Sequence, residues 1–325
     1  MRLRTITVLV LAWAVAAAAQ AQPAWRPDKA VEIILPTAPG GFNDQIARLI
    51  HKVVQDEKML AVPMVIMNRP GGNQTLAPTA LAQRAGDGNV LLYTTPTIIT
   101  NQLAGITPMH YAEFSPIALL LVEHTVITVR ADSPLKNMRD LIERLKADPD
   151  SIAFGTVSRG GPNHLSLSQA VKAAGLDAKK LKAVVFKTNA ESITAVIGGH
   201  LQAAVTSASA ALPQAQAGNT RMLAIAGPRR MVGALATVAT LREQGIDADG
   251  LANWRGIFGA KGLSAAQIAF WEEALARTVA SADWKKLLDE SNLATQFLRS
   301  REYQKYLEAE YAVTRALMVD LGLAK

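Results

Sequence analysis

The chain has 325 residues, half of them apolar and 19% charged, a balance typical of a globular protein of about two domains rather than of a disordered one. Its formal net charge of +7 is spread along the sequence without the basic stripe and interleaved aromatic residues of a nucleic-acid-binding surface, so no nucleic-acid partner is predicted. It contains no cysteine, which excludes disulfide bonds, thiol catalysis and thiolate metal sites.

The first 21 residues predict an export signal. Residues 1–4 form a short basic start, residues 6–19 are an almost unbroken apolar stretch, and Ala19-Gln20-Ala21 offers the small residues that a signal peptidase recognises. The apolar run is shorter than the ~20 residues of a membrane-spanning helix, which disfavours a membrane anchor. We therefore expect cleavage after Ala21 and a mature protein in the periplasm.

The next predicted element is a strand at residues 31–35, which leads into a glycine-rich turn. The turn is Pro39-Gly40-Gly41, followed by Phe42-Asn43-Asp44, and apolar residues then recur at helical spacing from residue 46. A helix that begins directly after a strand directs unpaired backbone N–H groups and the positive end of its dipole at the space beyond the strand. This turn therefore predicts a site for a carboxylate or a phosphate.

Strand and helix patterns continue to alternate until a second glycine turn. Strands are predicted at residues 62–67, 90–94, 116–122 and 125–129, and helices at residues 76–84 and 137–147. A further strand at residues 152–156 leads into Ser158-Arg159-Gly160-Gly161, and His164 lies at the start of the following helix, which extends to about residue 174. Two such turns that face each other across a cleft would hold a small anion from both sides.

The rest of the chain completes an α/β pattern. Strands are predicted at residues 183–186, 203–206 and 222–226, a helix at residues 191–197, and a mostly helical tail at residues 265–321. The alternation predicts an α/β fold in which mainly parallel sheets are flanked by helices.

Small polar residues and glycines stand at five predicted strand ends, where ligands of parallel α/β sheets bind. We therefore predict these ligand-binding residues: Pro39, Gly40, Gly41, Phe42, Asn43, Asp44, Thr94, Thr95, Ser158, Arg159, Gly160, Gly161, His164, Asn189, Thr206 and Ser207. No metal or other cofactor is predicted, because the five histidines lack metal-binding spacing. The glycine turns also lack the signatures of a phosphate loop and of a dinucleotide site.

A series of short segments across nearly the whole mature chain resembles the Bug family, the extracytoplasmic solute receptors of tripartite tricarboxylate transporters. In chain order the segments are residues 25–36 with Ala38-Pro39-Gly40-Gly41, Asn68-Arg69-Pro70-Gly71, Asp87-Gly88, Gly160-Gly161 with His164-Leu165, Gly198-Gly199, Ala217-Gly218, Arg221-Met222-Leu223-Ala224 and Trp254-Arg255-Gly256-Ile257-Phe258.

The resemblance implies a two-domain periplasmic binding protein of type II, a Venus flytrap. The first domain would combine residues 22–122 with 228–325, the second would be residues 123–227, and linker strands would cross near residues 122–129 and 222–227. The resemblance also implies a small carboxylate ligand, held in the cleft by backbone amides of both turns, and the membrane permease subunits of such a transporter as partners. We expect a monomer without catalytic residues.

Three positions differ from the usual family pattern. Phe42 and Asn43 replace a common Ser-Thr pair, and Thr206 stands where an aspartate that can receive a ligand ammonium group is often found. Together with the cation of Arg159, these residues favour an aromatic or dicarboxylic acid over an amino acid. A solvated loop arginine is the alternative interpretation of Arg159.

Two other functions stay open at this point. A receptor of the same fold could report its ligand to a two-component sensor kinase instead of a permease. An exported hydrolase could use His164 as a base beside Ser158 or Ser166, although no Gly-x-Ser-x-Gly elbow is present.

Overall fold

The computed structural model describes residues 25–231, 233–291 and 293–325, so the predicted export signal lies outside the described residues. The strands are β1 (Val31–Leu35), β2 (Met64–Asn68), β3 (Val90–Thr94), β4 (Ser115–Glu123), β5 (Thr125–Arg130), β6 (Ala153–Thr156), β7 (Lys182–Val185), β8 (Ala203–Ser207), β9 (Thr220–Ala226), β10 (Asn253–Gly259) and β11 (Thr295–Arg299). The helices are α1 (Phe42–Asp56), α2 (Leu76–Ala82), α3 (Thr97–Leu103), α4 (Met138–Ala147), α5 (Pro162–Ala173), α6 (Asn189–Ile197), α7 (Ala208–Gln216), α8 (Ala265–Ala280), α9 (Ala282–Glu290) and α10 (Ser300–Asp320). Within these ranges no helix combines the length and the apolar character that crossing a membrane would take.

The strands form two sheets, which confirms a two-domain α/β fold. The six-stranded sheet has the order β11-β4-β10-β3-β1-β2, and the five-stranded sheet has the order β7-β6-β8-β5-β9. The chain passes from the first sheet to the second between β4 and β5, where His124 alone separates the two strands. It returns between β9 and β10.

Both sheets are mixed, whereas the sequence predicts mainly parallel ones. In the six-stranded sheet β1 pairs in parallel with β2 and β3, but β10 is antiparallel to β3 and β4. In the other sheet β6 pairs in parallel with β7 and β8, but β5 is antiparallel to β8 and β9. The physical reason is that β5 and β10 follow the two crossings, so each enters its new sheet from the end at which the neighbouring strands finish.

Each sheet is covered by apolar side chains on both faces. α1 presents Ile46, Ile50 and Val53 to the six-stranded sheet at the spacing of one helical face. Trp254 and Tyr303 are buried on the opposite face, at the contact with α10. These cores fix where β1 and its neighbours end and therefore where the first glycine turn lies.

The segment after β9 stays with the five-stranded sheet for longer than the sequence suggests. Leu241 and Ile246 lie in one core of that sheet, Leu235 lies in the other, and Thr240 forms an isolated bridge with Ile225 of β9. The sequence-based expectation places the return to the first domain at residue 228. The packing differs because this segment buries its apolar side chains against the second sheet before β10 begins.

Candidate functional site

The two glycine turns have the same backbone form. Gly40 and Gly160 have φ of +87° and +76°, a left-handed conformation that glycine adopts without steric cost. Gly41 and Gly161 follow in extended conformation and cap α1 and α5. Each turn thus joins the carboxyl end of a parallel strand to the start of a helix, as predicted.

The backbone N–H of the first glycine in each Gly-Gly pair donates a hydrogen bond to a side chain of the same turn. The Gly40 N–H donates to Asp44 Oδ2 at 3.0 Å, and the Gly160 N–H donates to His164 Nδ1 at 3.2 Å. Both acceptors lie four residues ahead, one helical turn along the chain, and so beneath the glycine. Asp44 and His164, predicted as ligand contacts, therefore shape the turns from within.

The electrostatic state of these two acceptors follows from their surroundings. Burial raises the pKa of the Asp44 carboxyl, but hydrogen bonds from Arg48, the Gly40 amide and Asn68 outweigh it and hold this pKa below its usual range. Burial, with a smaller contribution from the positive Arg159, lowers the pKa of His164 to about 4. The imidazole is therefore neutral near pH 7, and its Nδ1 can accept the glycine N–H.

Other amides at the helix starts have no partner within the part of the chain that the structure describes. Four of them belong to residues that line the cavity, namely Gly41, Phe42 and Asn43 at α1 and Asn163 at α5. The first N–H groups of a helix have no intrahelical acceptor. Because all four residues line the same cavity, the two helix starts offer it hydrogen-bond donors from both sides.

The cavity lies between the two sheets and has a volume of 420 Å³. The predicted residues that line it are Gly40, Gly41, Phe42, Asn43, Thr95, Ser158, Gly161, Asn189 and Ser207. The predicted residues outside its lining are Pro39, Asp44, Thr94, Arg159, Gly160, His164 and Thr206. Thr94 and Thr206 are buried in their strands, and the Arg159 side chain is exposed to solvent, in agreement with a solvated loop arginine.

A buried ion pair at the floor of the cavity was not predicted from the sequence. Arg255 lines the cavity, and its Nη2 donates to Glu123 Oε1. The two residues are 3% and 0% exposed. Arg255 stands two positions after Asn253 in β10, so both side chains lie on the same face of the strand. The sequence does contain a signal for this ion pair, because Arg255 stands within the otherwise apolar run of residues 254–258. A charged residue in a buried strand rarely lacks a partner of opposite charge.

The ion pair belongs to a hydrogen-bond network that joins both domains. Arg255 Nε donates to Asn43 Oδ1 at 2.8 Å, at the start of α1. On the other side, Ser209 Oγ of α7 donates to Glu123 Oε2 at 2.7 Å. Asn253 Nδ2 donates to Asn163 Oδ1 at 3.1 Å, at the start of α5. The network thus ties both helix starts to the floor of the cleft, beside the first crossing between the sheets.

A second contact between the domains lies at the rim of the cavity. Asn73 has a left-handed φ of +53°, which asparagine tolerates better than most residues. Its Oδ1 accepts from Ser158 Oγ at 2.8 Å, and its Nδ2 donates to Asn101 Oδ1 at 2.7 Å and to the Arg159 carbonyl at 3.3 Å. We call Asn73, Ser158 and the Arg159 carbonyl the rim clasp. It holds the second glycine turn against the first domain.

The arrangement does not form a catalytic pair of serine and histidine. His164 Nδ1 accepts the Gly160 N–H, Ser158 Oγ donates to Asn73, and Ser166 Oγ donates to the Pro162 carbonyl at 2.7 Å. Neither serine donates to the imidazole. In the described residues, no three His, Asp or Glu side chains are grouped to hold a metal ion.

Comparison with known proteins agrees with this geometry. The family model described as "Tripartite tricarboxylate transporter family receptor" matches residues 46–323. The chain is similar to Protein BugT of Bordetella pertussis, with 27% identity over 242 residues, which cover 73% of this chain and 72% of BugT.

Solved structures of similar fold include two proteins of Rhodopseudomonas palustris. MatC with bound malate has a TM-score of 0.79 and 22% identity, and the match covers 90% of this chain and 99% of MatC. A second protein, solved with adipate, has a TM-score of 0.83 and 24% identity, and the match covers 92% of this chain and 99% of that protein. The family consists of solute-binding receptors and not of enzymes. Because its model matches most of the chain, the chain belongs to the receptors of the tripartite tricarboxylate transporter family.

Proposed function

We propose that this receptor captures a small carboxylate in the cleft between its two domains and delivers it to the membrane permease subunits of a tripartite tricarboxylate-type transporter. The observation that carries the proposal is the pair of glycine turns, whose residues line one cavity and whose helix-start amides have no partner among the described residues. Such donors, at the positive end of a helix dipole, favour a carboxylate. Proteins of the same fold were solved with malate and with adipate, and both ligands are carboxylates.

The proposal includes where the receptor acts and how its chain is divided. We propose that residues 1–21 direct it to the periplasm, where the mature chain acts as a monomer. We also propose that the first domain combines residues 22–122 with residues 250–325, and that residues 123–249 form the second. The packing of Leu235, Leu241 and Ile246 against the five-stranded sheet supports the second boundary.

Calorimetry on the mature chain tests the carboxylate site. Each acid of a panel is compared with its primary amide, which has the same shape without the charge. Only the acids are expected to bind, and an acid at a hundred times its dissociation constant should add about 2.7 kcal/mol to the free energy of unfolding. Equal binding of acids and amides would contradict the proposal.

Gly41→Val tests the position of the site. Gly41 has φ of −82°, which valine also adopts, and an added Cβ would lie 3.9 Å from the Thr188 methyl group across the cleft. The larger side chain should therefore block the cavity without straining the turn, so binding is lost while the melting temperature of the free protein is kept. Gly41→Ala is the graded control, because its single methyl group fits at ordinary van der Waals distance. Full affinity in folded Gly41→Val would contradict the site.

A further inference from the structure

If the proposed function holds, the charged residues around the cavity indicate how many carboxylate groups its ligand carries. Among the described lining residues, only Arg255, Lys187 and Glu290 carry a full charge. Arg255 is already paired with the buried Glu123, and Lys187 and Glu290 are exposed residues of opposite charge. The buried part of the cavity therefore offers no unpaired cation to a second carboxylate. Arg159, on which the expectation of a dicarboxylate depended, lies outside the lining.

The rest of the lining is rich in neutral hydrogen-bonding groups, and three of them are unsatisfied. Thr37 Oγ1, Thr156 Oγ1 and Asn189 Oδ1 are buried, have no hydrogen-bond partner and belong to residues that line the cavity. Buried polar atoms nearly always have a partner, and because these three belong to residues that line the cavity, a ligand group in the cavity is the partner that we assign to them. Thr156 is 2% exposed, and its position at the end of β6 places it directly before the second glycine turn.

The chemistry of these atoms selects the ligand groups that can satisfy them. An amide oxygen such as Asn189 Oδ1 only accepts hydrogen bonds, and an ionised carboxylate only accepts them too, so the two cannot pair. A hydroxyl group donates and accepts, and therefore satisfies the amide oxygen as well as a threonine hydroxyl. Thr37 belongs to the first domain, while Thr156 and Asn189 belong to the second, so one ligand would meet them from opposite sides.

We propose that the ligand is a polyhydroxylated acid with a single carboxylate, of the aldonic acid class. Its carboxylate accepts hydrogen bonds from the unpaired amides at the starts of α1 and α5, and its hydroxyl groups pair with Thr37, Thr156 and Asn189. The ring of Phe42, which also lines the cavity, provides an apolar surface for the C–H groups of the ligand. A cavity of 420 Å³ lies in the range typical of small-molecule sites and admits a six-carbon acid.

Four six-carbon acids separate the two parts of the proposal. Hexanoate and gluconate carry one carboxylate, without and with hydroxyl groups, and adipate and glucarate are the corresponding dicarboxylates. Calorimetry on the mature protein is expected to show gluconate as the tightest ligand of the four. Tighter binding of hexanoate or adipate would overturn the inference and leave the proposed function in place. Tighter binding of glucarate would overturn the single charge. A complete absence of binding by all four acids would also overturn the inference, whereas the proposed function is contradicted only if the wider panel of acids fails to bind as well.

Thr156→Val provides the residue-level test, with Thr128→Val in β5 as its matched control. Both threonines have a buried hydroxyl without a partner, but only Thr156 lines the cavity. Loss of one hydrogen bond should weaken gluconate binding by Thr156→Val about three- to tenfold and leave hexanoate binding unchanged. Thr128→Val should keep wild-type affinity for both acids. An equal loss for both acids in Thr156→Val, or no loss for either, would overturn the assigned contact.

Discussion

Replacement of Arg255 by methionine should test the buried ion pair at the floor of the cleft. Glu123 is fully buried, and it would keep the hydroxyl of Ser209 but lose the cation of Arg255, the one cation paired with it among the described residues. The removal of one partner from a buried pair leaves an uncompensated charge and typically costs about 3–5 kcal/mol. Because whole domains are stable by only about 5–15 kcal/mol, the Arg255→Met protein should unfold at a clearly lower urea concentration.

A double variant separates the loss of the pair from a loss of packing. In Arg255→Met/Glu123→Met both charges are replaced by apolar side chains, an exchange that is often neutral or stabilising at buried sites. Asn253 Oδ1 and Asn43 Oδ1 would still lose a hydrogen bond from Arg255, and Ser209 Oγ would lose its acceptor on Glu123. A deficit of about 1–3 kcal/mol is therefore expected to remain. The double variant should thus recover part of the stability that Arg255→Met loses. Glu123→Met alone completes the double-mutant cycle, which should give a coupling energy of a few kcal/mol.

The assay is urea unfolding followed by circular dichroism and tryptophan fluorescence, with a comparison of the unfolding slopes. Arg242→Met is the control, because Arg242 and Asp249 form an exposed pair and such pairs contribute about 0–1 kcal/mol. A cost below 1 kcal/mol for Arg255→Met, or a double variant no more stable than the single one, would refute the assignment of a structural ion pair.

Three further predictions concern closure and pH. Asn73→Ala removes the rim clasp and should raise the ligand dissociation rate several-fold in stopped-flow measurements. Asn219→Ala is the control, because it removes only an exposed hydrogen bond to Gln214 and should leave the dissociation rate unchanged. Equal dissociation rates in the two variants would exclude the clasp from closure. A ligand held by both domains favours the closed state, so small-angle scattering should show a smaller radius of gyration at saturation, and an unchanged radius would contradict closure. Folding lowers the pKa of His164 from its usual 6.5 to about 4, so the unfolded chain binds more protons than the folded one between pH 4 and pH 6.5. The free energy of unfolding should therefore fall by about 3 kcal/mol as the pH is lowered from 6.5 to 4. His164→Asn should show a shallower loss over this pH range, and an identical profile would contradict the lowered pKa.

The glycine turns were predictable from the sequence because their signals are local. A short apolar run, a Gly-Gly pair and helical spacing within about 25 residues identify β1 with α1 and β6 with α5. The roles of Asp44 and His164 were harder to predict, since a polar residue in the first turn of a helix can face the ligand or its own glycine. The structure assigns both to the glycine amide.

The floor of the cleft was not predictable in the same way, because its parts meet only in the folded chain. Arg255 and Glu123 are 132 positions apart, and the two strands that carry them become neighbours only when β10 returns from the second domain. The same crossing makes the six-stranded sheet mixed, and the earlier crossing into β5 does so for the five-stranded sheet. An alternation of strands and helices indicates an α/β fold, but it does not show which strands cross between domains or the direction in which they enter the next sheet.

The two turns share a backbone but differ in electrostatics, and the difference bears on how an anion is held. At α1 the glycine amide is paired with the ionised Asp44, whose charge Arg48 offsets at 2.7 Å. At α5 the corresponding acceptor is the neutral His164, and the first turn of the helix contains no acidic residue. The positive end of the α5 dipole is therefore not opposed by a carboxylate in its own first turn. The rim clasp fastens this turn to the first domain, so the helix start without an acidic residue in its first turn is also the one that the clasp holds beside the cavity.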